Sequence, residues 1–177
     1  MTMFWRKGYE GASLSDLTEA MGINRPSLYA AFGNKQELFR KALERYGDGP
    51  SSYERKALAR PTAREVAEGL LRGAADVQTD PGTPAGCLAV LGTTYCAEDS
   101  SPIGKIVIAF RRAGQAAIRE RFERARAEGD LPAHADPNAL TYYLGTVVCG
   151  MAVQAASGAN REDLERVIEL AMHAWPR

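Results

Sequence analysis

The sequence predicts an all-α protein, and three observations carry that expectation. Apolar residues recur at a three-to-four-residue step in nearly every segment of the 177-residue chain. Helix start and stop signals punctuate those segments at short intervals. No convincing pair of alternating apolar and polar runs stands beside a turn to make a β-hairpin. The length suits one or two domains and allows a real core.

The segment from Gly11 to Lys35 reads as two short helices joined by a tight turn, the layout of a helix-turn-helix DNA reader. Ser13 is a capping residue, with Asp16 three positions on as its reciprocal partner. Leu14, Leu17 and Met21 fall in one arc with Ala20 beside them, which predicts a buried face. Gly22 stops the helix, Ile23 plugs the turn, Asn24 caps the next helix and Pro26 sits in its first turn. The second helix is expected over roughly 25–32, with Leu28, Ala31 and Phe32 packed inward and Pro26, Ser27, Tyr29 and Ala30 facing out. Arg25, at its start, has the reach and donors for guanine acceptors in a major groove, and Ser27 suits bases or phosphates. Pro26 and Ala30 offer only apolar contact, while Tyr29 and Lys35 suit phosphates. The same helix pair by itself also fits any small all-helical domain.

From Phe4 to Tyr46 the order of residue types narrows that choice. The Gly8–Tyr9 pair, the Ser13–Leu14 cap, the Leu28–Tyr29 pair and the run from Phe32 through Lys35 to Leu38–Phe39 together resemble the DNA-binding domain of TetR-type transcriptional repressors. The resemblance covers about a quarter of the chain. It implies a three-helix-type helix-turn-helix head over residues 1–47 and a helical ligand-binding and dimerisation body over 48–177. It places Arg25, Pro26, Ser27 and Tyr29 on a recognition helix and Lys35 at a phosphate contact. It further implies a homodimer on near-palindromic double-stranded operator DNA, released by a small-molecule effector bound in the body. The family opens with a full amphipathic helix ahead of the Phe4–Gly8 stretch, whereas Met1 to Lys7 makes barely two turns. The expectation is therefore a misplaced translation start or a truncated first helix, with reduced cover over Leu14, Leu17, Leu28 and Phe32.

In the body, Leu38, Phe39, Ala42, Leu43 and Tyr46 mark a long amphipathic helix from Lys35, interrupted at Gly47–Ser52. A helix starting at Pro61 carries Val66, Leu70 and Ala74 and ends before Asp80–Pro84. Gly86–Ala97 is apolar all round and suits a buried strand or helix; its helical neighbours favour helix. The clearest stripe runs from Ile103 to Phe122. Two more helices follow, over about 136–157 and 160–175, with small residues (Gly145, Gly150, Ala152, Ala155, Ala156) that permit close helix contact. The Val148–Met151 stripe there predicts half of a four-helix dimer interface, against packing within one protomer only. Tyr95, Phe110, Tyr142 and Tyr143 are candidates to line an internal effector pocket between the helices over about 61–79, 83–97, 103–126 and 136–157, against a plainly packed core.

Composition narrows the function classes. Lys and Arg number 22, as do Asp and Glu, but residues 1–60 carry ten basic against seven acidic side chains, which suits a DNA-reading head. No signal peptide is visible and no apolar run approaches a membrane span, so a cytoplasmic protein without membrane contact is expected. Cys87, Cys96 and Cys149 are expected as buried, reduced thiols, with no metal and no cofactor. No catalytic constellation is found: carboxylates alternate with arginines on polar helix faces. Two function classes remain: a ligand-responsive DNA-binding repressor, or a dimeric helical ligand-binding or interaction protein whose head no longer grips DNA.

Overall fold

The computed structural model describes residues 1–91 and 101–176, and the described residues form helices and no strand. The head begins with α1 (Thr2–Gly11), which bends at Gly8, where φ is 68° and a side chain would be strained. Then come α2 (Leu14–Met21), α3 (Arg25–Phe32) and α4 (Lys35–Asp48). The α2–α3 turn hinges on Gly22, which sits in the left-handed region at φ 64°.

Aromatic contacts close the head. Phe4 meets the Phe39 ring edge-on at 5.1 Å, and Trp5 meets Tyr46 edge-on at 4.9 Å. Phe4, Leu28 and Phe39 are fully buried, and Leu17 nearly so. The expected loss of cover therefore does not reach Leu17 or Leu28, because Phe4 and Trp5 bring large rings into the same core; Leu14 and Phe32 stay half-exposed. Met21, Ala20 and Ala31 are exposed, contrary to the sequence pattern. A two-turn helix in a three-helix head meets its neighbours along one narrow line, which Leu17 and Leu28 occupy.

Helix α4 runs through Gly47 and stops at Asp48, two residues before Pro50. One glycine costs a helix only about 1 kcal/mol, whereas proline lacks the N–H and clashes. A 3₁₀ turn (Pro50–Ser52) then leads to α5 (Tyr53–Leu58), a short polar helix the sequence pattern does not announce.

The body is built round α6 (Ala63–Gln78), which starts at the capping box of Thr62 and Glu65. It packs against α9 (Pro137–Ala156) and α10 (Arg161–His173). Between them in sequence lie α7 (Leu88–Leu91) and the long α8 (Pro102–Ala127). The expected helix over Gly86–Ala97 is described only at Leu88–Leu91: Gly86, at φ 88°, and Cys87 precede it in non-helical conformation, and residues 92–97 lie outside the described residues. Val66, Leu71, Phe122, Leu144, Met151, Leu164 and Ile168 form the body core, with Trp175 tilted against Phe122 at 5.4 Å. The head core does not stop at α4: Leu88, Ala89, Ile103 and Val107 belong to it.

Three expectations for the body change. Met151 is 1% exposed and packs inside the protomer, so it is no interface residue. Cys149 is exposed rather than buried, because it stands in the wall of an open cavity. Helix α9 does reach a membrane-spanning length with mean hydropathy 1.3 over its best stretch, yet only 28% of that stretch is buried within the chain. Part of its apolar surplus is exposed, as Tyr142 and Val153, and α10 likewise exposes Val167 and Leu170.

Candidate nucleic-acid interface and ligand cavity

The candidate DNA-facing surface of the head is assembled by caps. Asp16 N–H donates to Ser13 Oγ at 3.0 Å while Ser13 N–H donates to Asp16 Oδ2 at 2.9 Å, so two orphan groups of α2 satisfy each other. Lys7 adds a 2.7 Å ion pair from α1 to Asp16. The hydrogen bond from Lys7, then those from Ser13, hold this carboxyl at about 2, well below the ordinary range. Asn24 accepts from Ser27 N–H at 2.8 Å and opens α3.

On α3, Leu28 anchors inward, and Arg25, Pro26, Ser27, Tyr29 and Ala30 are all exposed. Four of the five candidate DNA residues therefore lie together on the free side of the helix. The Arg25 guanidinium donates to Ser15 Oγ at 2.9 Å, which steadies it across α2 and leaves further N–H groups for a base edge. Lys35 opens α4, and its ammonium lies 4.4 Å from the centroid of the Tyr9 ring. That cation–π contact steadies a long side chain at the start of α4, just after α3.

The other end of α4 leads to a cavity. Its volume is about 710 Å³, within the range of small-molecule sites, and its lining is mostly apolar. Gly47 and Asp48 from α4, Ser51 and Glu54 after it, Phe110 and Gln115 on α8, and Tyr142 and Val148 on α9 form parts of its wall. Tyr46, one turn before the end of α4, donates its hydroxyl to Cys87 Sγ at 3.2 Å; burial pushes both the phenol and the thiol up from their ordinary values. The same helix thus carries Lys35 at one end and cavity wall at the other.

Residues 1–42 match the family model described as bacterial regulatory proteins, tetR family. The chain is 32% identical to the HTH-type transcriptional repressor ComR of Escherichia coli K12, over 99% of this chain and 85% of that one. The TetR family transcriptional regulator CifR, solved as a cysteine mutant complexed with 26-bp double-strand operator DNA, superposes with a TM-score of 0.92 at 43% identity, covering 99% of this chain and 92% of that one. This chain belongs to the tetR family of bacterial regulatory proteins. A regulator from Rhodococcus sp. RHA1 is 44% identical, covering 99% and 94% of the two chains, with a TM-score of 0.68.

Within this tetR-family regulator, the candidate ligand residues separate. Phe110 and Tyr142 line the cavity. Tyr143 does not: its hydroxyl donates to the Ala171 carbonyl at 3.1 Å and ties α9 to α10. Tyr95 lies outside the described residues. Sequence reasoning missed Ser51, Glu54 and Gln115. None stands on an apolar stripe, and Glu54 belongs to the one short helix that carries almost no hydrophobic signal. Among the described residues, no group of three or more His, Cys, Asp or Glu side chains is placed to hold a metal.

Proposed function

We propose that this regulator is a ligand-responsive repressor that binds a near-palindromic operator as a homodimer and leaves it when a small molecule fills the body. The head, residues 1–47, reads DNA through Arg25, Pro26, Ser27 and Tyr29 in the major groove, with Lys35 on phosphate. Two symmetric recognition helices require half-sites one helical turn, or a multiple, apart. The exposed apolar face of α9 and α10, with Leu170 at 74% exposure, suits the self-complementary contact of a twofold dimer. A repressor working in this way acts in the cytoplasm.

The observation that carries the proposal is the course of α4. Gly47 lies against the Phe110 ring: a Cβ placed on Gly47 would sit 3.3 Å from it. A ligand that displaces Phe110 pushes on the end of α4, and the push is passed along a rigid helix to the head core. The ligand favours the dimer arrangement whose recognition helices are wrongly spaced, and it does so only by its difference in affinity between the two arrangements. Reciprocity supplies the test. A compound that releases the protein from DNA is titrated with and without saturating operator; operator should weaken its binding by the factor by which it weakens operator binding. Equal affinities in the two titrations would reject the allosteric reading and indicate competition at the head.

A further inference from the structure

The effector cavity has one chemically distinctive feature, which is the way Glu54 is placed in it. Five charged side chains stand in the wall: Glu44, Asp48, Glu54, Arg55 and Arg111. Glu44 pairs with Arg40, and Arg55 pairs with Asp48 at 3.2 Å. Arg111 is turned to the backbone, donating from Nε to the Ala89 carbonyl at 2.9 Å. Glu54 is in no ion pair among the described residues. Its Oε1 accepts from the Ser51 hydroxyl at 2.8 Å, and its Oε2 has no hydrogen-bond donor there. Oε2 reaches across to α8 because Gly114 leaves room: a Cβ on Gly114 would lie 3.5 Å from it.

Much of the rest of the cavity wall is apolar, with Phe110, Gly114 and Ile118 on α8 and Leu144 and Val148 on α9. Burial raises the Glu54 carboxyl from its ordinary value, opposed by the Ser51 hydrogen bond and the charge of Arg55. A carboxylate that is partly desolvated and only half satisfied gains most from a partner that brings both a positive charge and N–H donors. An anionic ligand would meet a like charge at the same spot and be repelled.

We infer that the cavity selects an amphipathic amine, its apolar body lying between α8 and α9 and its ammonium group donating to Glu54 Oε2. This rests on the reading of the cavity as the effector site. Glu54 then gives specificity by charge and the apolar wall gives affinity by area. Ser51 holds the carboxylate in place by occupying its other oxygen.

The test uses three probes of one shape, phenylbutylamine, phenylbutanol and phenylbutyrate, with binding to the full-length protein measured by calorimetry near neutral pH. The amine is expected to bind about tenfold or more tightly than the alcohol, and the carboxylate most weakly. Glu54→Gln, nearly isosteric, should bring the amine down to the level of the alcohol while the alcohol changes less than about twofold. Glu54→Asp, which keeps the charge, should retain part of the preference. Thermal unfolding of each variant checks that it folds, and the three-probe comparison on the unmodified protein stands even where a variant does not. Equal binding of amine and alcohol, or an amine preference that survives in Glu54→Gln, overturns the inference while the cavity remains a ligand site. Binding of none of the three probes overturns both.

Discussion

The head and the body of this regulator spend their apolar residues differently. In the head, Phe4 packs edge-on against Phe39 and Trp5 against Tyr46, with Phe4 and Phe39 fully buried. In the body, α6, α8 and α9 stand around a cavity of about 710 Å³, so Phe110 and Ile118 are only half-buried. The difference follows from what each region must hold constant. In the proposed dimer, a recognition helix works only if its angle to the partner protomer's helix is fixed, and close packing resists deformation. The proposed ligand site needs unfilled volume, and the body leaves out the contacts that would fill it. One helix, α4, belongs to both regions, since Leu38, Phe39, Leu43 and Tyr46 lie in the head core while Gly47 and Asp48 face the cavity.

The largest effects should show whether that contrast is energetic. Phe39→Ala should cost about 3–5 kcal/mol of stability, because a fully buried ring leaves a void that the head cannot collapse. Phe110→Ala should cost only about 1 kcal/mol, since that ring already borders open space. Denaturant unfolding of both variants measures the gap; similar losses would mean that the cavity wall is as tightly packed as the head. A second pair separates the core of the body from its surface. Met151→Arg should prevent stable folding, because it buries an unpaired charge. Leu170→Arg should leave the protomer folded and shift the mass seen by light scattering from dimer to monomer, since a twofold contact brings the new charge in from both sides. A Leu170→Arg protein that keeps its dimer mass would place the interface elsewhere.

Smaller effects sharpen the picture of the head. Arg25→Ala should relax base preference at one position per half-site, at a cost of about 1–3 kcal/mol. Lys35→Ala should weaken binding to all sequences alike and lower the salt dependence by about one counterion. A binding-site selection and a salt titration distinguish these outcomes; an unchanged selected site for Arg25→Ala would remove Arg25 from base reading.

Much of the head was legible in the sequence because its signals are local. The Ser13–Asp16 box, the Gly22 stop and the Asn24 cap each involve residues within one turn, and the structure shows all three. The exposed grouping of Arg25, Pro26, Ser27 and Tyr29 follows from the same periodicity. The fates of Met21 and Ala31 were not legible, since each lies on the apolar side of its helix and only the position of α1 and α4 decides whether anything covers that side. Phe4 and Trp5 were underestimated for the same reason: a short segment covers a core well if its side chains are large and its neighbours present matching rings.

In the body, caps and stripes located α6, α8, α9 and α10, and the apolar surplus with scattered aromatics pointed to a cavity lined by Phe110 and Tyr142, but α5 and its contribution to the wall could not be read from them. Helical periodicity tells which residues avoid water. It does not tell whether they meet another helix, a second protomer or a ligand. Met151 and Leu170 sit on neighbouring apolar helices, yet one is buried within the protomer and the other is open to solvent. Sequence alone determined the helical class, the helix boundaries set by Gly, Pro and capping residues, and the family. Only the tertiary structure decided which apolar surface became core, which stayed free and where Glu54 came to face a cavity, because those outcomes depend on distances between residues far apart in the chain.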